Sequence, residues 1–340
     1  MKGLTAFILI LAFASPHLCL KLNPKSKYTF NVMDYGAVGD GKSDDSQAIK
    51  KAWLDTCGAV TSGAATLVFP QGKTFYMKPM DFQGACKAKY INIQLIYIHA
   101  CNDLTIDGLR NIDSPRNHMA IHFCSGVRIS NLHIQAPGES PGTDGINIGL
   151  TTNVNIKDSS ISSGDDCISL LNGTSFVYIS GIICGPGHGI SIGSLGMNRA
   201  IYETVQDVHV WNCSFIGTLN GVRIKTYEGG RGYVGKVTFE KITMVASHNP
   251  IIIDQYYFSG GKNNKNTAVE VSDITFRGIH GTCADEKAIE LNCNKTFGCR
   301  NLILDNINIT SSVPGKKTVA SCFNAHGGAA SVIPSNPCLQ

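Results

Sequence analysis

Short apolar runs of one form recur along the chain. Each reads aliphatic, any residue, aliphatic or aromatic, any residue, polar or Gly, and then a second short apolar run. The runs begin at Leu104, Val127, Val154, Val177, Val208, Val237, Ile274 and Leu302, at spacings of 23, 27, 23, 31, 29, 37 and 28 residues. Alternation with a period of two, rich in β-branched residues, marks strands, and the dividing Asn, Asp or Gly marks a bend. A sandwich would place its turns every 8–12 residues without a longer repeat. A period in the twenties, with no helical spacing between the runs, predicts an all-β solenoid: a right-handed parallel β-helix. Ahead of it the pattern predicts a strand over Tyr28–Met33, then a loop, then a helix near Asp44–Cys57 with Ala48, Ile49, Ala52 and Trp53 on its inner face. This cap, over residues 21–58, covers the first coil of a β-helix domain spanning 59–340, because a solenoid exposes its core at an open end.

The first 20 residues carry Lys2 and an apolar run over Leu4–Ala14, followed by small and polar residues. A run of about 11 residues is too short to span a bilayer and has the form of a signal peptide. No later segment is long and apolar enough for a membrane helix, so the mature chain is expected outside the membrane and secreted. Thirteen cysteines become twelve without Cys19, and a high, even count behind a signal peptide favours disulfides over metal ligation. Cys167–Cys184, Cys293–Cys299 and Cys322–Cys338 are candidate close pairs, with Cys57–Cys86 closing the N-terminal part, and the spacing leaves other connectivities open. Four sequons, at Asn172, Asn212, Asn294 and Asn308, offer glycan acceptors, of which Asn212 and Asn308 lie within strand patterns and are the poorer candidates. The formal charge of +4 is modest, and no basic run interleaved with aromatics appears, which argues against nucleic acid as a partner.

Gly36-Ala-Val-Gly-Asp-Gly41-Lys42-Ser43 has the spacing of a phosphate-binding loop between a strand and a helix. Asp40, Asp44 and Asp45 surround the would-be phosphate nest and would repel a phosphate. A glycine-rich turn with Ser43 or Asp44 capping the next helix accounts for the same residues.

The candidate chemistry lies at similar points of successive repeats. Asp144 sits in Thr-Asp-Gly, Asp165 and Asp166 in Gly-Asp-Asp, His188 in Gly-His-Gly, and Arg223 and Lys225 in Arg-Ile-Lys; Tyr257 follows one coil later. Counted from the start of their coils, these residues fall 11 to 20 positions on, after the second short strand. Stacked strands lie roughly 4.8 Å apart, so neighbouring coils would bring these side chains into one groove. Three crowded carboxylates raise at least one pKa, which lets one carboxyl stay protonated as an acid. Two carboxyl groups with a water between them are the machinery of an inverting glycosidase. Clustered Asp oxygens also suit calcium, and Asp-Gly and Gly-Asp are common in ordinary turns.

The chain resembles the polygalacturonases, a glycoside hydrolase family that cleaves the galacturonan backbone of pectin. The resemblance runs from about Phe30 to the C-terminus. It rests on Tyr35-Gly-Ala-Val-Gly-Asp-Gly-Lys-Ser-Asp-Asp, Ser140-Pro-Gly-Thr-Asp-Gly, Gly164-Asp-Asp-Cys-Ile-Ser, the run from Cys184 to Gly196, Asn220-Gly-Val-Arg-Ile-Lys-Thr and Pro250-Ile-Ile-Ile-Asp-Gln-Tyr-Tyr. The tail Ser321-Cys-Phe-Asn-Ala with Cys338 is similar to the pollen exo-acting group. The resemblance implies a parallel β-helix, hydrolysis with inversion, no metal or organic cofactor, a monomer, and a polygalacturonate substrate in the cell wall. It implies Asp165 as the acid, Asp144 and Asp166 as the carboxylates that hold and deprotonate water, and His188 as the group that tunes the acid or orients the sugar. Arg223 and Lys225 are implied to bind a galacturonate carboxylate, with Tyr257 closing the sugar site. Exo attack is favoured over endo.

The chain departs from the family pattern in three places. Gly142 stands where the family has Asn, which frees the backbone of the loop carrying Asp144. About two coils are missing between His99 and Asn102, so the groove's N-terminal wall is short. Phe258 stands where cysteine is common. Weakened but retained hydrolysis is the expectation. A wall-binding protein with a damaged site and a calcium-dependent pectate lyase are the alternatives.

Overall fold

The alternation of apolar and polar positions is realised as stacked coils. In the computed structural model, which describes residues 28–62, 64–70, 73–76, 86–87, 90–94, 96–114, 116–257 and 267–339, the chain forms a right-handed parallel β-helix. The expected signal segment and Phe258 lie outside the described residues. Two long parallel sheets share the coils. An eleven-stranded sheet runs from Thr105–Asp107 to Ala325–Ile333, and a nine-stranded sheet from Ile96–His99 to Val319–Phe323.

The eight predicted starts fall in one register. Val127, Val154, Val177, Val208, Val237, Ile274 and Leu302 pair in a single line, and Leu104 joins it one residue before the Thr105–Arg128 pair. Four residues after each start the chain bends. Gly108, Asn131, Asp158, Gly181, Asn212, Lys241, Gly278 and Asn306 all have φ between 49° and 67°. The left-handed region admits Gly, Asn and Asp most readily, because a short polar side chain can hydrogen-bond locally. The dividing residue of the repeat is therefore the corner of the coil.

Between the bends the inward positions stack into columns. Ile129, Ile156, Ile179, Val210, Phe239, Phe276 and Leu304 form one such column on the eleven-stranded sheet, all buried. Phe239 and Phe276 stack with nearly parallel rings, their centres 5.3 Å apart. Ile121, Ile148, Leu170, Ile192, Ile224, Ile253 and Leu291 face them from the nine-stranded sheet.

The predicted first strand is shorter than the pattern implied. Thr29–Asn31 is strand, and Val32–Tyr35 turns into a 3₁₀ helix that Asn31 caps through its side chain. The helix runs over Ser46–Gly58 with Ile49, Ala52 and Trp53 buried, in a cluster of their own with Val32, Ala37, Leu67 and Phe69. The glycine-rich loop is closed by its own carboxylates. Asp45 accepts from Val38 N and Gly39 N at 2.6 and 3.2 Å, and Asp40 accepts from Lys42 N and Ser43 N at 2.8 and 2.7 Å. The amides that would cradle a phosphate are already occupied by negative charge.

Ile96–His99 pairs directly with Met119–His122, so the nine-stranded sheet is continuous there. The eleven-stranded sheet begins only at Thr105. The strands Thr29–Asn31, Ala64–Val68 and Tyr90–Gln94 form a separate three-stranded sheet. The break lies where the two missing coils were expected. All four expected disulfides are formed. Cys124, Cys213 and Cys283 are buried free thiols. They occupy inward positions of the coils, where a free cysteine packs as a small apolar side chain. The ranking of the sequons is reversed: Asn212 and Asn308 are exposed, whereas Asn294 is 2% exposed and its Oδ1 accepts from Thr296 N and Phe297 N.

Truncation of Phe239 to Ala empties the centre of the column. Denaturant titration is expected to show a loss of about 3–5 kcal/mol, with Phe239→Leu losing less than half of that. Equal midpoints for the two variants would contradict the column as a source of stability.

Candidate active site

The nine-stranded sheet turns its alternate residues outward, and the turns leading into its strands stack as the strands do. Asp144, Asp166 and His188 each lie two residues before Ile146, Ile168 and Ile190, which share one register. Backbone bonds tie these turns together: Gly145 N donates to Asp166 O at 2.9 Å, and His188 N to Asp165 O at 2.8 Å. One coil further, Val222 takes the register position of Ile190, so Arg223 and Lys225 point outward beside Ile224, which points in. The structure thus gathers Asp144, Asp165, Asp166, His188, Arg223 and Lys225 on three neighbouring turns and a strand.

Asp166 is the hub. It is 1% exposed; its Oδ1 accepts from Arg223 Nη2 at 2.6 Å and Ser191 Oγ at 2.8 Å, and its Oδ2 from Lys225 Nζ at 2.8 Å. Arg223 Nε also donates to Ser191 Oγ at 2.9 Å, so the guanidinium is held at two points. A buried carboxylate between two buried cations is stable only as a set, because removal of one partner leaves uncompensated charge.

Asp165 is half-buried, and its Oδ1 meets His188 Nδ1 at 3.0 Å and Asp166 N at 2.9 Å. Burial pushes its pKa up, but the His188 hydrogen bond and charge, with Lys225 behind them, outweigh burial and leave it below the usual value. Among the described residues Asp144 has no such partner. Burial, followed by the charges of Asp165 and Asp166, pushes its carboxyl up to about 7. The cluster therefore holds two neighbouring carboxyls of opposed tendency, the arrangement that separates an acid from a base.

Tyr257 lies at the end of the next coil. Lys225 Nζ is 5.1 Å and the Arg223 guanidinium 5.9 Å from its ring centre, and Tyr227 meets it edge-on at 5.6 Å. An aromatic face beside two cations suits an anionic sugar, which offers an apolar ring face and a carboxylate. Asp165, Asp166 and His188 also converge closely enough to hold a cation, their ligand atoms lying within 4.8 Å of one another. Asp166 already stands between Arg223 and Lys225, however, so a divalent ion would stand among fixed positive charges.

Backbone contacts set the loops that carry the carboxylates. Gly164 N donates to Thr143 Oγ1 at 2.8 Å, and a Cβ at Gly164 would meet Ser140 O, so only glycine allows this approach. Gly142 is at φ +66° with open space around it, so an Asn fits there sterically and is among the residues that tolerate that conformation. Sequence reasoning missed three contributors. Ser191 bridges Arg223 to Asp166 and shares the register of Arg223. His118, fully buried, places Nδ1 3.1 Å from Asp144 O and Nε2 3.3 Å from Gln135 O, holding the Asp144 peptide. Asp254 stands one coil beyond Lys225 in its register. In each case the register relation was the available signal.

A parallel β-helix whose outer face gathers paired carboxylates, an imidazole and cations for an anionic sugar is the framework of a β-helical glycoside hydrolase. The chain belongs to the glycosyl hydrolases family 28, whose family model matches residues 40–332. It is 38% identical to a probable polygalacturonase of Arabidopsis thaliana, over 93% of this chain and 81% of the relative. It is 33% identical to an exopolygalacturonase of Zea mays, over 92% and 90% of the two chains. The alignment with the Arabidopsis relative covers 374 positions, more than this chain's 340 residues, so that relative carries segments this chain lacks. Among solved structures, the endo-xylogalacturonan hydrolase of Aspergillus tubingensis has the same fold, with a TM-score of 0.62 at 24% identity over 89% of this chain and 99% of the other.

The raised Asp144 pKa sets a pH dependence of stability. Between pH 3.8, the ordinary value, and about 7, the unfolded chain loses this proton while the folded chain keeps it. Stability contributed at low pH is therefore lost as pH rises through that window, at up to about 1.4 kcal/mol per unit. Asp144→Asn removes the loss. Urea denaturation is expected to find the variant more stable than the parent at pH 7.5 and the difference closing by pH 4; a gap independent of pH would refute the buried charge.

Proposed function

We propose that this chain hydrolyses α-1,4-galacturonosyl linkages in polygalacturonate, with inversion, in the cell wall as a secreted protein. The observation that carries the reading is the groove in which Asp144, Asp165 and Asp166 adjoin Arg223, Lys225 and Tyr257. Carboxylates supply acid and base; the cations and ring supply recognition of a uronate.

In this reading Asp165 donates a proton to the leaving glycosidic oxygen, and the bond to the anomeric carbon breaks. Asp144 and Asp166 hold the water on the opposite face of the sugar, and Asp144 takes its proton as the new bond forms. Before substrate binds, the shared proton rests on Asp144 and Asp165 is ionised, so the reacting form is the minor one, in which Asp165 holds that proton and Asp144 is free to act as base. Entry of a galacturonate carboxylate beside Asp165 raises its proton affinity, since a like charge disfavours ionisation. His188, hydrogen-bonded to the same carboxyl, orients it. Arg223 and Lys225, already fixed by Asp166, meet the substrate carboxylate without needing to be ordered. We favour exo attack, on the tail Ser321–Ala325 and the similarity to the maize exopolygalacturonase.

Digestion of polygalacturonate by the secreted protein, with chromatography of the products, tests the reading. Galacturonate alone means exo attack, a ladder of oligomers means endo attack, and no new reducing sugar overturns hydrolysis. Asp165→Asn is expected to lower kcat by roughly 10²–10⁴-fold. The dependence of kcat/KM on pH is expected to be bell-shaped, because the cluster needs one proton shared between acid and base. Its upper limb follows the group near 7 and its lower limb the depressed Asp165, giving a mildly acidic optimum. Gly142→Asn is expected to fold normally and to raise turnover. Binding without turnover in both forms would favour the wall-binding protein instead.

A further inference from the structure

Where the coils return to the eleven-stranded sheet, four of them leave a cleft of about 280 Å³. It is distinct from the groove: Lys225 and Arg231 share a coil, but the turn Tyr227–Gly230 separates them, closed by Gly230 N donating to Tyr227 O. The cleft opens where one coil has glycine in the line. Gly232 pairs with Glu203 before it and Val269 after it, and a Cβ on Gly232 would meet Glu203 O, so the floor stays bare. Tyr202 and Arg231 immediately precede that line in adjacent coils, and Phe297 and Arg300 close the far side. Tyr202 is 61% and Phe297 41% exposed, large apolar area facing a recess. Among the described residues neither Arg231 nor Arg300 forms a salt bridge, whereas Arg223 and Arg277 do. Glu270 lines the same cleft, so its walls carry two positive charges and one negative.

We propose that this cleft is a second, non-catalytic binding site for an acidic oligosaccharide, a uronate-bearing segment of the polymer. Guanidinium groups pair with carboxylates in a planar, two-pronged manner, and the exposed aromatic rings supply faces for the apolar side of a sugar. A neutral glycan would leave both arginines unanswered, and a small inorganic anion would leave both rings uncovered. The inference rests on the proposed substrate for the identity of the polymer, but not on turnover. A site beside the groove would keep the protein on an insoluble wall polymer while the groove releases its product.

The test is retention of the full chain on immobilised polygalacturonate, beside hydrolysis of short oligogalacturonides in solution. Arg231→Ala with Arg300→Ala is expected to lower retention roughly tenfold or more and to leave hydrolysis of the short substrates unchanged. Lys316→Ala with Lys317→Ala, equal in charge and placed on an exposed loop, is expected to keep retention. Tyr202→Ala is expected to weaken retention at high salt, where charge is screened and ring contacts remain. Unchanged retention in the arginine variant, or an equal loss in the lysine control, overturns the site. Retention that depends on the arginines in a chain that hydrolyses nothing would keep the site and remove the proposed hydrolysis.

Discussion

In these coils the backbone hydrogen bonds of one turn are completed by the next, and that requirement fixes the register of everything else. A slip by one residue would move every inward side chain to the outer face. The line from Val127 to Leu302 is therefore one constraint rather than six separate pairings. The same constraint stacks the turns, so a carboxylate in one turn lies beside its counterpart in the next. Catalytic geometry in this fold follows from the spacing of strands, without a loop having to fold back on itself.

Stacking alone would gather like charges at unfavourable distances. The structure resolves this unequally among the three aspartates. Asp166 has both oxygens on cations and Ser191; Asp165 has an imidazole; Asp144 has neither and holds its proton to about pH 7. One repeat unit thus yields three carboxyl groups with three different tasks, set by what each meets in the adjoining coil. Arg223 and Lys225 serve twice in this arrangement, compensating Asp166 and presenting positive charge to the groove beside Tyr257.

Much of the fold was legible because the corner residues have a chemical signature. Asn131, Asp158, Gly181, Asn212 and Asn306 could be read as bends before any coordinate was known. Lys241, at the same corner, could not, since its chemistry does not announce a positive φ. The site residues were legible by type, but their phase looked loose when counted from the start of each coil. Loops of different length intervene between start and site. Counted back from Ile146, Ile168 and Ile190, the phase is constant for Asp144, Asp166 and His188. Ser191 and His118 escaped because a serine on a strand and a histidine before one carry no signal without the register. The unequal pKa values of the aspartates depend on burial and on contacts across coils, which no local motif encodes. Which cysteines stay free was hidden for a similar reason: a count of thiols does not tell which way each one points.

Those three thiols have a use of their own. Cys124, Cys213 and Cys283 lie in early, middle and late coils of the column, and burial pushes each pKa up, to about 12 for Cys213 and about 11 for Cys283. A thiol so placed reacts with a reagent only when its own coil opens. The molecule therefore carries internal clocks at three heights along its axis. The order in which they react records whether the stack frays from an end or opens in the middle, coil by coil, without any label having been introduced.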